Sequence, residues 1–412
     1  MATIGTVPPP TITPSSSSPT APIFGLPWVP DIDFAEKDPA IIQQEVIADY
    51  EASFLALTNI AKSLAPGDPV RLHLLVVCDW LSQQRVIIDF TGKNNLLKYA
   101  TDAYLDNLAA LLGVRTLRLQ AQPALTTLRF TLTAALSTSA VIPLGTQCQA
   151  PNAVVFATTA AGVIPAGSLS VDVPAQAATA GAIGSGFQIG QINSVINWNQ
   201  PFGITVSNTT VTSGGSDIET DDQYRYRIWL AIESFSTCGP HDAYEFWALS
   251  ANPGIMSVLV YSAPDIAGEV WIYPLMQNGL LPTTDVLAQV EAICSADTKR
   301  PVTDFVTAKI ATIYTYTLNM SWWIDPANEV LLDAITAAVN QAALDWILWQ
   351  RSEIGRDLNC DELIKRCLEA GANRIQINSP TALFTDIPYD NLACHDPLVA
   401  PVVTYSGAAV TS

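Results

Sequence analysis

Basic residues and histidine are scarce in this chain, and their scarcity removes whole classes of function. Nineteen Lys and Arg stand against 38 Asp and Glu, for a net charge of −19. Such a field repels phosphate backbones and anionic lipid, and it cannot form the basic footprint on which nucleic-acid binding rests. Only three histidines occur, His73, His241 and His395, far apart and in no His-Glu-x-x-His or related spacing, so no histidine-based metal centre is written in the sequence. The longest apolar runs, such as that over 72–78, fall far short of the roughly 20 residues of a membrane helix. No basic residue precedes Lys37, so the charged n-region of a signal peptide is missing. The seven cysteines are scattered, odd in number and without a Cys-x-x-Cys pair, the pattern of reduced thiols in a protein folded in the cytosol. Cys360 and Cys367 share one face of a predicted helix and are expected in a core.

Apolar residues, by contrast, make up 49% of the 412 residues, enough for two to four packed domains. Charged residues make up only 14%, which fits either a surface covered by partners or an Ala/Thr-rich β protein. Patterning along the chain predicts an α+β multidomain protein: an N-terminal helical region, a central small β domain, and C-terminal α+β domains with helices packed on sheets. The expected division is an extended Pro/Ser/Thr-rich arm over 1–30, a helical region over 31–116, a β domain over 117–213, an α+β domain over 214–305, a C-terminal α+β domain over 306–379 and a C-terminal arm over 380–412.

Local chemistry supports this division. Asp38-Pro39 supplies an N-cap and an N1 proline, and Ile42, Val46, Leu57 and their neighbours give a broad apolar helical face. Further helices are predicted over 69–91 and 96–112, the latter closed by Gly113. These are bundle helices, or helices that need a partner to bury their broad faces. Leu128, Phe130 and Leu132 then alternate with threonines, with period two. A near-repeat follows, Val141-Ile-Pro-Leu-Gly-Thr146 and Val163-Ile-Pro-Ala-Gly-Ser168, which reads as a type I turn with Pro at i+1. Between Phe130 and Asn199 the only charged residue is Asp172, so this surface is expected to pack against something. Residues 312–324 read as one long strand with Tyr314, Tyr316, Leu318, Met320, Trp322 and Ile324 on one face. A long helix over 327–350 and a shorter one capped by Asn359, with Glu362 at N3, complete the pattern.

Residues that could carry chemistry have simpler readings. Gly181, Gly184, Gly186 and Gly190 lack the Lys of a phosphate loop, and Ser185 lacks the spacing of a nucleophile elbow. Asp217, Glu219, Asp221 and Asp222 are explained by helix capping, and Cys394-His395 by chance adjacency. Trp322, Trp323, Trp346 and Trp349 could form a sugar-stacking platform, although cores and subunit contacts use tryptophan as readily. His73 is expected in a core or an interface. No catalytic, cofactor-binding or metal residue is therefore assigned, and no cofactor is expected.

The most informative stretch is Ser213-Gly-Gly-Ser-Asp-Ile-Glu-Thr-Asp-Asp-Gln-Tyr-Arg-Tyr-Arg-Ile228. Gly214 and Gly215 permit backbone angles closed to other residues. Two overlapping capping boxes, Ser216 with Glu219 and Thr220 with Gln223, read as the start of a helix in which Asp221 can pair with Arg225. This segment resembles the signature of the baseplate J family, wedge proteins of contractile phage tails and related injection machines. Other segments resemble the same family in the same order: Ala100 to Leu112-Gly113-Val114-Arg115, the Ile-Pro-x-Gly-Thr/Ser pair, Arg300-Pro301-Val302-Thr303 and Glu353-Ile-Gly-Arg-Asp-Leu358. Together they span about 99–377. The stretch Ala175 to Phe187 departs from the family's Ala-Glu-x-x-Gly-x-x-Gly-Asn pattern.

The resemblance implies a structural, non-enzymatic wedge subunit located in the virion tail baseplate and assembled in the host cytoplasm. It implies pairing with itself, two copies per wedge in a ring, and with a second wedge protein through the N-terminal helices. Neighbouring baseplate and sheath-initiating proteins are further implied partners, with no nucleic acid and no membrane insertion. Gly214-Gly215 is then the expected hinge between the β domain and the α+β half. The alternatives are a carbohydrate- or receptor-binding tail protein and a tail-associated cell-wall hydrolase.

Overall fold

The computed structural model describes residues 26, 29–196, 198–236, 238–263 and 266–408. The arm expected over 1–30 therefore lies almost wholly outside the described residues. The chain divides into two compact units, 1–117 with 221–228, and 118–220 with 229–412.

The first unit is helical. Helix α1 (Pro39–Thr58) starts where the Asp38 carboxylate accepts the Ala40 amide, and α2 (Pro69–Lys93) where Asp68 accepts that of Val70. Each cap satisfies an amide that the first turn leaves without an intrahelical partner. The α1 helix stops at Asn59, in the left-handed region at φ 55°. The two helices run antiparallel, since ion pairs join Lys37 to Asp89 (2.6 Å) and Glu45 to Arg85 (3.9 Å). Helix α3 (Asp102–Ala110) is shorter than the expected 96–112, because hydrogen-bonded turns over 94–100 precede it. The signature segment supplies α4 (Asp221–Leu230), and its Tyr224 and Ile228 pack with Ala100, Leu105 and Ala109 into a small core.

In the second unit the first domain is β. Strands β1 (Leu125–Leu132), β2 (Ala140–Ile142), β3 (Gln147–Gln149), β4 (Val155–Thr158), β5 (Gly162–Ile164), β6 (Ser170–Ala177), β7 (Ser194–Ile196) and β8 (Ile204–Asn208) follow in order. Six of them form one sheet, β7-β3-β4-β6-β1-β8, while β2 and β5 form a separate antiparallel ribbon. Strand β1 alternates as its sequence predicts, with Thr126, Leu128, Phe130 and Leu132 buried. Phe156, Ile142, Ile164 and Cys148 close the same core. The near-repeat pairs with itself, Val141 lying opposite Val163. Its turns are displaced by one residue from the expected type I. Thr146 donates to the Pro143 carbonyl and Ser168 to that of Pro165, which places Gly145 and Gly167 at i+2. Both have φ of 80°, the left-handed angle that a type II turn requires there and that glycine supplies.

The next domain contains α5 (His241–Leu249), β9 (Ile255–Ser262), β10 (Glu269–Met276), α6 (Thr284–Cys294) and β11 (Phe305–Ala308). The sheet order is β11-β10-β9; β9 and β10 are antiparallel, and the α6 crossover makes β11 parallel to β10. Tyr273 and Leu275 of this sheet share a core with Ala311, Ile354 and Leu392 of the domain that follows.

That last domain corrects two expectations. The single strand expected over 312–324 is two: β12 (Thr312–Tyr316) and β13 (Asn319–Ile324), which join different sheets. The expected buried face nevertheless survives, with Tyr316, Leu318, Met320, Trp322 and Ile324 all buried, because the chain changes partners without losing its alternation. Helix α7 (Leu332–Gln350), strand β14 (Leu358–Asn359), helix α8 (Cys360–Glu369) and strands β15 (Arg374–Ser379), β16 (Phe384–Thr385), β17 (Asn391–His395) and β18 (Val402–Ala408) follow. The segment from 380 onward is not an arm as far as 408: β17 pairs with β12, and β18 with β13, both parallel. Prolines and turns hid these short strands, whose partners lie far upstream in the chain.

By length and composition, 326–350 could cross a bilayer. Here Val339, Ala343, Trp346 and Gln350 pack into the core, while Asp333 and Asp345 face outward. The Asn359 side chain caps α8 by accepting the Asp361 amide, but Glu362 accepts from Arg366 (2.9 Å) rather than closing a capping box. Cys360 and Cys367 are buried in this core as expected, and burial pushes their thiols up to about 11 and about 12.

Candidate functional site

The signature segment forms a two-stranded strap. Ser213 and Leu125 exchange backbone hydrogen bonds of 2.7 and 3.1 Å, and Ser216 and Gln122 exchange bonds of 2.8 and 3.1 Å. The ladder ends at Glu219, whose amide donates to the Leu119 carbonyl and whose carboxylate accepts the Leu119 amide at 3.0 Å. The strands that lead into and out of the β domain are thus zipped together. Gly214 takes a φ of 81°, while a Cβ on Gly215 would lie 2.7 Å from the Gly181 carbonyl oxygen. Glycine is required at both positions, by backbone angle at the first and by close approach at the second. The expected free hinge is instead a held crossing.

Each acidic residue of the segment has its own partner. Asp217 accepts the Ala182 amide (2.9 Å), and Ser185 bonds both the amide and the carbonyl of Gly215. The glycine-rich loop is therefore a wall of the strap. Ser216 and Glu219, expected as a capping box, serve the ladder instead, because the helix starts only at Asp221. The Asp221 carboxylate accepts the Asp102 amide at 2.9 Å, and Arg225 pairs with Asp222. Arg225 also donates to the carbonyls of Leu97 and Ala100, and Arg227, 1% exposed, to that of Leu117 at 2.8 Å. These guanidinium groups bind backbone carbonyls on either side of α3, which are otherwise costly to bury. Sequence reasoning found the segment but not these partners, which lie about a hundred residues upstream.

A second feature is the outer face of α2. Leu72, Val76, Trp80, Val86, Ile87 and Phe90 are all exposed, Trp80 by 71%. On α1, Leu55 and Leu57 are exposed as well. Contiguous apolar surface of this kind marks an interaction site. At the open end of the hairpin, Lys37 and Lys93 both bridge Asp33 and Asp89 over 2.6–3.1 Å. Burial would raise the Asp89 pKa, but Lys37, the Phe34 amide and Lys93 together hold the carboxyl down at about 2.

The remaining candidates disperse. His73 is exposed on α2, so it is no core residue. Cys394 and His395 are consecutive on β17 and therefore point to opposite faces, and the His395 ring packs edge-on against Tyr316. Trp322 and Trp346 are fully buried, whereas Arg374 lies 4.8 Å from the centre of the Trp323 ring and Arg356 lies 4.3 Å from that of Trp349, so the four rings form no common platform. The sequence reading passed over one group: His241, Asp242 and Glu245, whose ligand atoms lie within 4.8 Å of one another. They occupy the first turns of α5, where the helix dipole disfavours a cation.

Comparison with known proteins agrees with this architecture. Residues 127–215 match the Baseplate J-like protein barrel domain, and residues 236–310 match the Baseplate J-like central domain. Baseplate protein J of Escherichia phage P2 is 27% identical over 174 residues, which cover 42% of this chain and 56% of that protein. The chain thus spans little more than half the length of that relative. A chain in the structure titled "Cryo-EM structure of the anti-feeding prophage (AFP) baseplate, 6-fold symmetrised" superposes with a TM-score of 0.43 at 10% identity, covering 89% of this chain and all of that one. The chain is therefore similar to baseplate J-like proteins over its barrel and central domains, which follow each other in a single polypeptide.

Proposed function

We propose that this protein is a structural wedge subunit of the baseplate of a contractile tail or injection system, and that it works by assembly rather than catalysis. The observation that carries this reading is the uncovered apolar face of the α1–α2 hairpin, presented by a chain whose barrel and central domains are similar to those of baseplate J-like proteins. Two helices cannot bury so broad a face between themselves, and a third helix laid along α2 would cover Leu72, Val76, Trp80 and Ile87 at successive turns. In this reading the hairpin recruits a second, helical wedge protein, two copies of the chain share one wedge, and wedges close into a ring. Neighbouring baseplate and sheath-initiating proteins then complete the assembly in the virion tail.

The test is co-expression with the protein encoded by the neighbouring gene, with the complex mass measured by light scattering. A stable complex holding two copies of this chain is expected, and Trp80→Glu with Ile87→Glu should abolish it while the chain stays folded. A monomer indifferent to its neighbour would overturn the reading. The carbohydrate-binding alternative rested on a tryptophan platform, and two of its four rings are buried in the core.

A further inference from the structure

A groove of about 1010 Å³ runs between the barrel and the central domain. The signature segment forms part of its wall, with Ser213, Gly214 and Ser216, beside Thr212. Ser216 is 3% exposed, and its hydroxyl has no hydrogen-bond partner among the described residues. A buried hydroxyl left unpaired costs free energy, which a ligand group reaching it would recover. Other lining residues are mostly hydroxyl, amide or aliphatic, among them Thr126, Val211 and Asn278, and among the described residues Asp285 is the only lining one with a charged side chain.

This lining selects its occupant. An anion would find no cation in the groove, and a highly charged peptide would leave its charges without partners in a confined space. An uncharged extended chain suits it, because its backbone amides can donate to the Asp285 carboxylate and to the threonine hydroxyls that line the groove. In this protein residues 1–30 hold no charged side chain and are rich in Thr, Ser and Pro. The prolines at 8–10 also restrict the conformations that must be surrendered on docking. We infer that the groove receives residues 1–25 from a second copy of this chain. The inference rests on the reading that copies assemble side by side, and it gives the signature glycines a further role as the floor of a peptide-binding groove.

Full-length chain carrying the photo-cross-linker p-benzoylphenylalanine in place of Ile12 tests this. Nitrogen-15-labelled and unlabelled protein are mixed, irradiated and mapped by mass spectrometry. Mixed-isotope cross-links from residue 12 to 125–127, 210–216 or 276–286 are the expected result. Cross-links that fall elsewhere, that join only like isotopes, or that do not form would overturn the inference. Val211→Trp, which fills the groove from a half-exposed position, should reduce the mixed-isotope signal to background without lowering the melting temperature. Survival of the signal in that variant would also overturn it. A chain that binds its helical neighbour but gives no groove cross-link keeps the wedge reading and loses only this one.

Discussion

The barrel domain and the α1–α2 hairpin use apolar residues in opposite ways. The barrel turns them inward around Phe130 and Phe156 and leaves an outer surface with almost no charge. The hairpin buries few, Ile42 and Cys78 among them, and directs the rest outward along α2. The barrel holds its shape through its own core, whereas the hairpin leaves much of its apolar surface open.

Four measurements would sharpen or break that contrast. The largest effect is expected for Phe156→Ala, which empties the barrel core and should cost about 3–5 kcal/mol in denaturant unfolding. A loss below 1 kcal/mol would mean that the barrel leans on other contacts. Glu219→Ala leaves the Leu119 amide without its carboxylate partner, with an expected cost of about 1–3 kcal/mol. Amide exchange along 119–125 should quicken with it, and unchanged exchange would show that the strap is held elsewhere.

A smaller effect concerns acid. The Asp89 carboxyl is depressed from an ordinary 3.8 to about 2, so it binds fewer protons folded than unfolded. Its contribution is present above its unfolded pKa and is lost as pH falls through the folded value, between about 4 and 2. Asp89→Asn should therefore be less stable than the wild type at pH 7, with the gap closing by pH 2; a gap independent of pH would contradict the ion-pair account. The smallest effect is expected for Trp80→Ala in the isolated chain, within about 0.5 kcal/mol of wild type, because the ring is exposed. The same substitution should weaken partner binding, and a large loss of stability in the free chain would place Trp80 in a core.

Legibility followed the range of the interactions. The period-two alternation of β1, the Asp38 and Asn359 caps, and the buried Cys360 and Cys367 depend on residues a few positions apart. The signature segment was visible for the same reason, through its glycines and its helix start. The partners of Glu219, Arg225 and Arg227 were not, because they lie about a hundred residues upstream and nothing in the local pattern names them. Glu362 shows the limit even at short range: the capping box and the Arg366 pair compete for one carboxylate, and spacing does not decide between them.

The amino-acid sequence alone was enough for the order of helical, β and α+β regions and for the buried faces of β1 and of the helix that carries Cys360 and Cys367. Those follow from periodicity and composition, which geometry imposes on any chain that must bury its apolar groups. Long-range packing settles instead that 312–324 breaks into two strands of different sheets, that the segment after 380 returns to pair with them, and that the glycine pair is held rather than free. Each of these is a choice of long-range backbone partner. Hydrogen-bonding groups on the main chain are the same at every residue, so their pairing is settled by which segments the packed domain brings together.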